Sequence, residues 1–295
     1  MTSSASASRT TREGELRSIQ LGELKVSYVP DGVVRLNALR WLPSSTAEFW
    51  AANPAYVDGA GDLIASIGGL LVEHGDRALL IDAGFGPRTF PAEPGNAHGA
   101  IRGGALLDNL AKLGRTPDDI EAVAITHLHI DHLGWLWRDT GDDGRPPFAN
   151  ADILITEPEW AAPELAAEQG TGPEILKAMA PQVRTTTDDE EIFPGVRVRL
   201  IPGHTAGHAA YSITSGGQRL IAFGDALHTP AQVGHPELSA APDLDSARSA
   251  AFRRSLVAEL ADAPDTIGFG GHFADVVFGR VRRDGERAVW VPEPV

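Results

Sequence analysis

Thr126-His127-Leu128-His129-Ile130-Asp131-His132-Leu133-Gly134 follows directly on the apolar run Ala122-Val123-Ala124-Ile125, which is itself preceded by the acidic turn Pro117-Asp118-Asp119. So short an apolar run between turn signals reads as a buried strand of a parallel sheet. Side chains alternate along an extended backbone, so His127 and His129 point the same way and Asp131 follows them. His132 is expected to open a helix with Asp131 near its N-terminus, where a carboxylate is electrostatically favoured. Three imidazoles and a carboxylate then converge at the C-terminal end of one strand. That is a donor set for Zn²⁺ and similar divalent metals. The competing reading is a run of surface histidines; the spacing favours a metal site.

Bulk composition narrows the context. The 295 residues are 42% hydrophobic, enough for one large α/β domain or two smaller ones. With no cysteine there can be no disulfide, and any metal must be held by nitrogen and oxygen. A net charge of -15 without a basic block argues against nucleic-acid or anionic-membrane partners. No apolar run approaches the length of a membrane span. The start, Met1 to Ser8, is small and polar, and Arg9 and Arg12 follow without an apolar segment, unlike a secretory signal. Residues 1–16 are therefore expected to form a disordered tail and residues 17–295 a single domain. The expected setting is cytoplasmic, with a small-molecule substrate and a homodimer left open.

Outward from the histidine-rich stretch, the chain alternates strands and helices. A hairpin is expected over Ser18 to Val29, and strands over Ile64 to Val72, Ala78 to Gly84, Asp152 to Thr156 and Val196 to Ile201. Asp82 ends its strand, as active-site groups in parallel sheets tend to do. A helix is expected over Ala105 to Leu113, stopped by Gly114, further helical patterns over Glu157 to Gln169 and Pro173 to Ala180, and a long one over Asp245 to Ala261. Another strand pair spans Ala209 to Thr214 and Arg219 to Phe223; a last strand, Thr266 to Gly270, precedes a hairpin at Asp284-Gly285. The acidic turn Asp139 to Gly144 lacks calcium-loop spacing and reads as solvated. The stretch holding Trp41, Phe49 and Trp50 reads either as a helix packed on the core or as a loop walling the site. Two successive halves of strands and helices point to an α/β fold, a helix/sheet/sheet/helix sandwich with the site along one edge of both sheets.

His204, Asp225 and His272 each end an expected strand beside glycine, in Gly203-His204-Thr205-Ala206-Gly207-His208, Gly224-Asp225 and Gly271-His272. With the opening stretch they form the ordered set HxHxDH, GHTxGH, GD and GH. In this the sequence resembles the metallo-β-lactamase-fold hydrolases over nearly the whole chain after the tail. The resemblance implies a four-layer αββα sandwich and two divalent metal ions, Zn before Mn, Fe or Co. His127, His129 and His204 would hold the first ion and Asp131, His132 and His272 the second. Asp225 would bridge both, leaving room for a bridging hydroxide. Asp82 would orient the ligand loops, and His208 would be structural.

The resemblance also narrows the chemistry. The absence of cysteine excludes the β-lactamases that use a cysteine ligand. Glyoxalase-type thioesterases carry basic residues that Arg280, Arg282 and Arg283 do not reproduce, and the tRNA-processing nucleases want a basic exosite. Quorum-quenching lactonases share the ligands but often have a tyrosine where His228 stands. The stretch Gly224 to His228, with Pro230-Ala231-Gln232 and Gly271-His272-Phe273, resembles the methyl parathion hydrolase-like branch more closely. The expected activity is hydrolysis of a small, fairly apolar lactone or ester. Phosphotriester cleavage at the same site is the alternative within hydrolases, and a mononuclear iron sulfur dioxygenase the alternative outside them. Asp131 would shuttle the proton to the leaving alkoxide. His228 would either donate a hydrogen bond to a substrate oxygen or serve packing.

Overall fold

The structure, a computed structural model, describes residues 9–138 and 144–294. The acidic turn at Asp139 therefore lies outside the described residues except for Gly144. Strands β1 (Arg17–Leu21), β2 (Leu24–Asn37), β3 (Asp62–His74), β4 (Arg77–Ile81), β5 (Thr89–Phe90), β6 (His98–Arg102), β7 (Ala122–Ala124), β8 (Asp152–Thr156) and β9 (Val183–Thr186) make the first sheet. Their order is β5-β6-β2-β3-β4-β7-β8-β9, with β1 paired to β2. The second sheet runs in sequence order through β10 (Glu191–Phe193), β11 (Val196–Leu200), β12 (Ala209–Ser215), β13 (Gln218–Ala222), β14 (Ile267–Phe269), β15 (Phe278–Asp284) and β16 (Arg287–Pro292). Among the described residues, parallel pairing is confined to β4-β7-β8-β9 and to β13-β14.

The α-helices are α1 (Ala38–Trp41), α2 (Ala47–Ala52), α3 (Leu106–Lys112), α4 (Glu157–Trp160), α5 (Pro163–Glu168), α6 (Pro173–Met179), α7 (Ala231–Gly234) and α8 (Ser246–Asp262), with short 3-10 turns between elements. Period-2 alternation explains the layering. Leu70, Val72, Leu79, Ile81, Ala124 and Leu154 of the first sheet face Val198, Tyr211, Leu220, Ala222 and Phe269 of the second. Their immediate neighbours, Leu71, Leu80, Val123, Ile153 and Ile155, face outward onto Leu106 and Leu110 of α3 and Ile175 and Met179 of α6. On the other side Ala210 and Ile221 pack on Leu256, Val257 and Leu260 of α8. The result is the four-layer αββα sandwich.

Away from the histidine-rich stretch, local readings differ from the structure at the sheet edge and at the N-terminus. The stretch between Gly84 and Ala105, for which no strand was expected, contains the small β5-β6 hairpin, which extends the first sheet through pairing with β2. Residues 9–16, read as part of the tail, pack against the loop after β14. Arg12 and Arg17 place guanidinium nitrogens 2.6 and 2.7 Å from the buried Asp275 carboxylate, and Arg9 joins them at 3.4 Å. Three cations converge on one fully buried anion, so this segment has a defined seat.

Candidate metal centre

Strand β7 stops at Ala124, and the histidine-rich stretch leaves it as an irregular loop rather than as the expected helix at His132. The loop is held by contacts that a helix would break. Ala83 N–H donates to His132 O at 2.6 Å and Gly134 N–H to Gly84 O at 2.7 Å. A Cβ at Gly134 would lie 2.0 Å from the Phe85 carbonyl carbon, so the two loops touch backbone to backbone. Asp82 secures the start: its carboxylate accepts from Thr126 N–H at 2.8 Å and lies 2.9 Å from His132 Nδ1.

These constraints bring the candidate ligands from both sheets to one corner. Donor atoms of His127, His129, His204 and Asp225 lie within 4.8 Å of one another, as do those of Asp131, His132 and His272. Asp225 faces both groups. Its Oδ2 is 3.7 Å from His127 Nε2 and 3.5 Å from His204 Nε2; its Oδ1 is 3.4 Å from His132 Nε2 and 3.1 Å from His272 Nε2. Nε2 of His127, His129 and His132 are buried without a hydrogen-bond partner in the protein. Buried orphan nitrogens are costly unless something binds them, and neutral imidazoles with carboxylates suit a divalent cation. The residues present fit two such ions.

Electrostatics divides the histidines. Burial, reinforced by neighbouring imidazoles, pushes His127 and His129 well below the ordinary value, so both are neutral donors. Burial acts the same way on His132 and His272, but the Asp225 and Asp131 carboxylates outweigh it and raise both, His272 to about 9. Burial holds His208 down to about 3, and its neutral Nε2 accepts the Asp225 N–H at 3.0 Å. His208 thus orients the backbone of Asp225. His228 is buried, with Nε2 3.1 Å from Asp225 Oδ2 and its ring stacked 5.7 Å from that of His272.

A cavity of about 480 Å³ opens at His129 and Asp131, walled by Val34, Leu36, Trp41, Phe85 and Phe90. A smaller one of about 220 Å³ meets it at His129, Gln169 and Pro242 and reaches His204. Of the three aromatic residues weighed as a wall, only Trp41 lines the larger cavity. Trp50 is buried with Nε1 donating to Ser45 Oγ at 2.8 Å, and Phe49 packs edge-on against His235. The stretch is therefore both wall and packed helix, divided by residue.

Residues 70–272 match the profile described as the metallo-beta-lactamase superfamily. The chain belongs to the metallo-β-lactamase superfamily. Within that superfamily it is 26% identical over 155 residues to an N-acyl homoserine lactonase of a Bacillus species, covering 48% of this chain and 56% of that protein. It is 27% identical over 177 residues to a probable metallo-hydrolase of Mycobacterium tuberculosis, covering 54% and 56%. The matched part thus spans about half the length of these curated relatives. Among solved structures, AidC, a dizinc quorum-quenching lactonase, superposes with a TM-score of 0.80 at 24% identity, covering 95% of this chain and 98% of that one. The hydrolase AbOPH superposes at 0.78 and 23%, covering 96% and 99%. These superpositions speak for the fold.

Three carboxylates escaped the sequence reading. Buried Glu159 accepts from Leu128, Thr205 and Gly207. Asp243 lies 2.8 Å from His204 Nδ1 and is backed by the fully buried Arg253. Burial alone would raise Asp243, but the His204 hydrogen bond and the Arg253 guanidinium help to outweigh it and bring the carboxyl down to about 2. Asp31 gathers five donors, from Phe85, Gly86, Gly104, Leu106 and Trp135. None sits in a motif; no local signal distinguishes them from surface acids.

Proposed function

We propose that this protein is a metal-dependent hydrolase that opens a small, fairly apolar lactone or ester. His127, His129 and His204 would hold one divalent cation, Asp131, His132 and His272 a second, with Asp225 between them. One observation carries the reading: both donor groups meet at Asp225, and His129 and Asp131, one from each group, line the apolar 480 Å³ cavity. The lactonases among the relatives favour a lactone. Cations held there would supply Lewis acidity toward a carbonyl oxygen and a water acidic enough to attack near neutral pH.

The chain's own side chains divide the remaining work. Val34, Leu36, Phe85 and Phe90 would take the apolar part of the substrate and keep bulk water from it. Asp131, whose side chain is 18% exposed at the cavity, would carry a proton to the departing alkoxide oxygen. His228, neutral through burial, would donate to a substrate oxygen seated beside Asp225.

The test is turnover of lactones, aryl esters and phosphotriesters by protein of known metal content. Chelation should abolish lactone or ester hydrolysis, and Zn²⁺ or Mn²⁺ should restore it. Undiminished turnover by metal-free protein would overturn the proposal. Faster cleavage of phosphotriesters would move the assignment to that chemistry, and one iron per chain with thiol-dependent oxygen uptake would move it out of hydrolysis.

A further inference from the structure

We infer that Glu159 is a positioning residue for one half of the metal centre only, the half formed by His127, His129, His204 and Asp225. The inference rests on the two-metal reading above. Glu159 lies on α4, directly after β8, and is 4% exposed. Its Oε1 accepts the N–H of Leu128 at 2.9 Å, and Leu128 is the residue between His127 and His129. Its Oε2 accepts from Thr205 Oγ1 at 2.7 Å and from Gly207 N–H at 2.8 Å, on the loop that begins with His204. One carboxylate therefore ties together the two loops that supply all three histidines of the first group. The loop is pressed close: a Cβ at Gly207 would stand 2.2 Å from Glu159 N.

The second group has different supports. His272 Nδ1 donates to the Ser66 carbonyl at 2.7 Å, and His132 Nδ1 lies on Asp82. Asp82 reaches both groups, because Thr126 Oγ1 relays it to His127 Nδ1 at 3.0 Å. The hydrogen bonds of Glu159 go to Leu128, between His127 and His129, and to the loop after His204, and none goes to Asp131, His132 or His272. An amide in its place offers one accepting oxygen and one N–H₂, so either Leu128 N–H or Gly207 N–H would face a donor. A buried N–H without an acceptor forces its peptide to shift, and the attached ligands shift with it.

Zinc titration against a chromophoric chelator, on metal-free protein, separates the halves without any activity assay. In a His272→Ala background, which keeps the first group intact, Glu159→Gln should weaken zinc binding about 10–100-fold. In a His129→Ala background, which keeps the second group intact, the same substitution should leave zinc affinity unchanged. Equal weakening in both backgrounds, or none in the first, overturns the inference. If Glu159→Gln does not fold, Thr205→Val, which removes one of the three donors, should give a smaller shift in the first background alone. Equal behaviour in the two backgrounds there is equally fatal. A wild-type chain that binds one zinc in all would overturn the two-metal reading itself, whereas two zincs without the asymmetry overturn only the role of Glu159.

Discussion

Asp82 Oδ2 lies 2.9 Å from Nδ1 of His132, and Asp82 reaches it with a backbone φ of +62°. A non-glycine residue in the left-handed region is strained, and such strain persists where surrounding contacts over-determine it. Here the contacts are visible: the same carboxylate takes the Thr126 N–H and hydroxyl, and Gly84 and Gly134 lock the adjoining loops together.

Asp82→Asn should therefore lower both metal content and ester turnover, the latter about 10–100-fold, because an amide cannot accept from Thr126 and His132 together. Asp82→Gly relaxes the φ but loses every hydrogen bond of the carboxylate, so it should be no better. Metal analysis and turnover on the two purified variants decide the matter. Wild-type turnover by the glycine variant would mean that the carboxylate is dispensable.

The apolar cavity offers a test of substrate size. Ile101, on β6 at its wall, is half-buried. Ile101→Trp should raise KM for a long-chain acyl substrate about ten-fold while changing a short one little, since a pocket discriminates by the apolar volume it admits. Steady-state kinetics on a chain-length series would show it. A uniform change along the series would argue that the acyl group lies elsewhere.

The seat of the N-terminal segment predicts a pH effect on stability. Burial alone would raise Asp275, but hydrogen bonds from Arg17 and Arg12 outweigh it and lower the carboxyl from the ordinary 3.8. A depressed folded-state value stabilises the protein above the unfolded-state value and loses that contribution as pH falls through the folded-state one. The urea midpoint of wild type should therefore exceed that of Asp275→Asn at pH 7, and the gap should narrow below about pH 4. A gap constant down to pH 2 would contradict this origin.

Asp31 predicts a loss of stability through its hydrogen bonds. Its carboxylate accepts from Phe85 and Gly86 at the cavity wall, from Gly104 and Leu106 at the start of α3, and from Trp135 Nε1 at 2.8 Å. Asp31→Ala strands several buried donors and should cost at least about 3 kcal/mol in urea unfolding, against about 1 kcal/mol for Trp135→Phe, which strands none of the backbone donors. Comparable losses for the two would mean that the carboxylate serves Trp135 alone.

Much of the architecture was legible because it is written locally. Period-2 runs such as Leu70 to Val72 and Leu79 to Ile81 alternate between the inter-sheet core and the outer face, and that pattern survives in any fold that buries both sides. The absence of a helix at His132 was not legible, because what prevents it lies some 50 residues away in Asp82 and Ala83. The β5-β6 hairpin escaped for a similar reason: its pairing depends on β2 as neighbour, with little periodicity of its own.

By itself the sequence determined the identity and order of the candidate ligands and the strand ends on which they stand. Ligand chemistry and side-chain alternation are properties of residues and near neighbours. Only the tertiary structure decided how those ligands are braced and what lies before them. Thr126 to Gly134 is not a strand running into a helix; it is a loop pinned by Asp82 on one side and Glu159 on the other. A buried carboxylate is distinguished from a surface one by its distant donors, and those are brought to it by the fold.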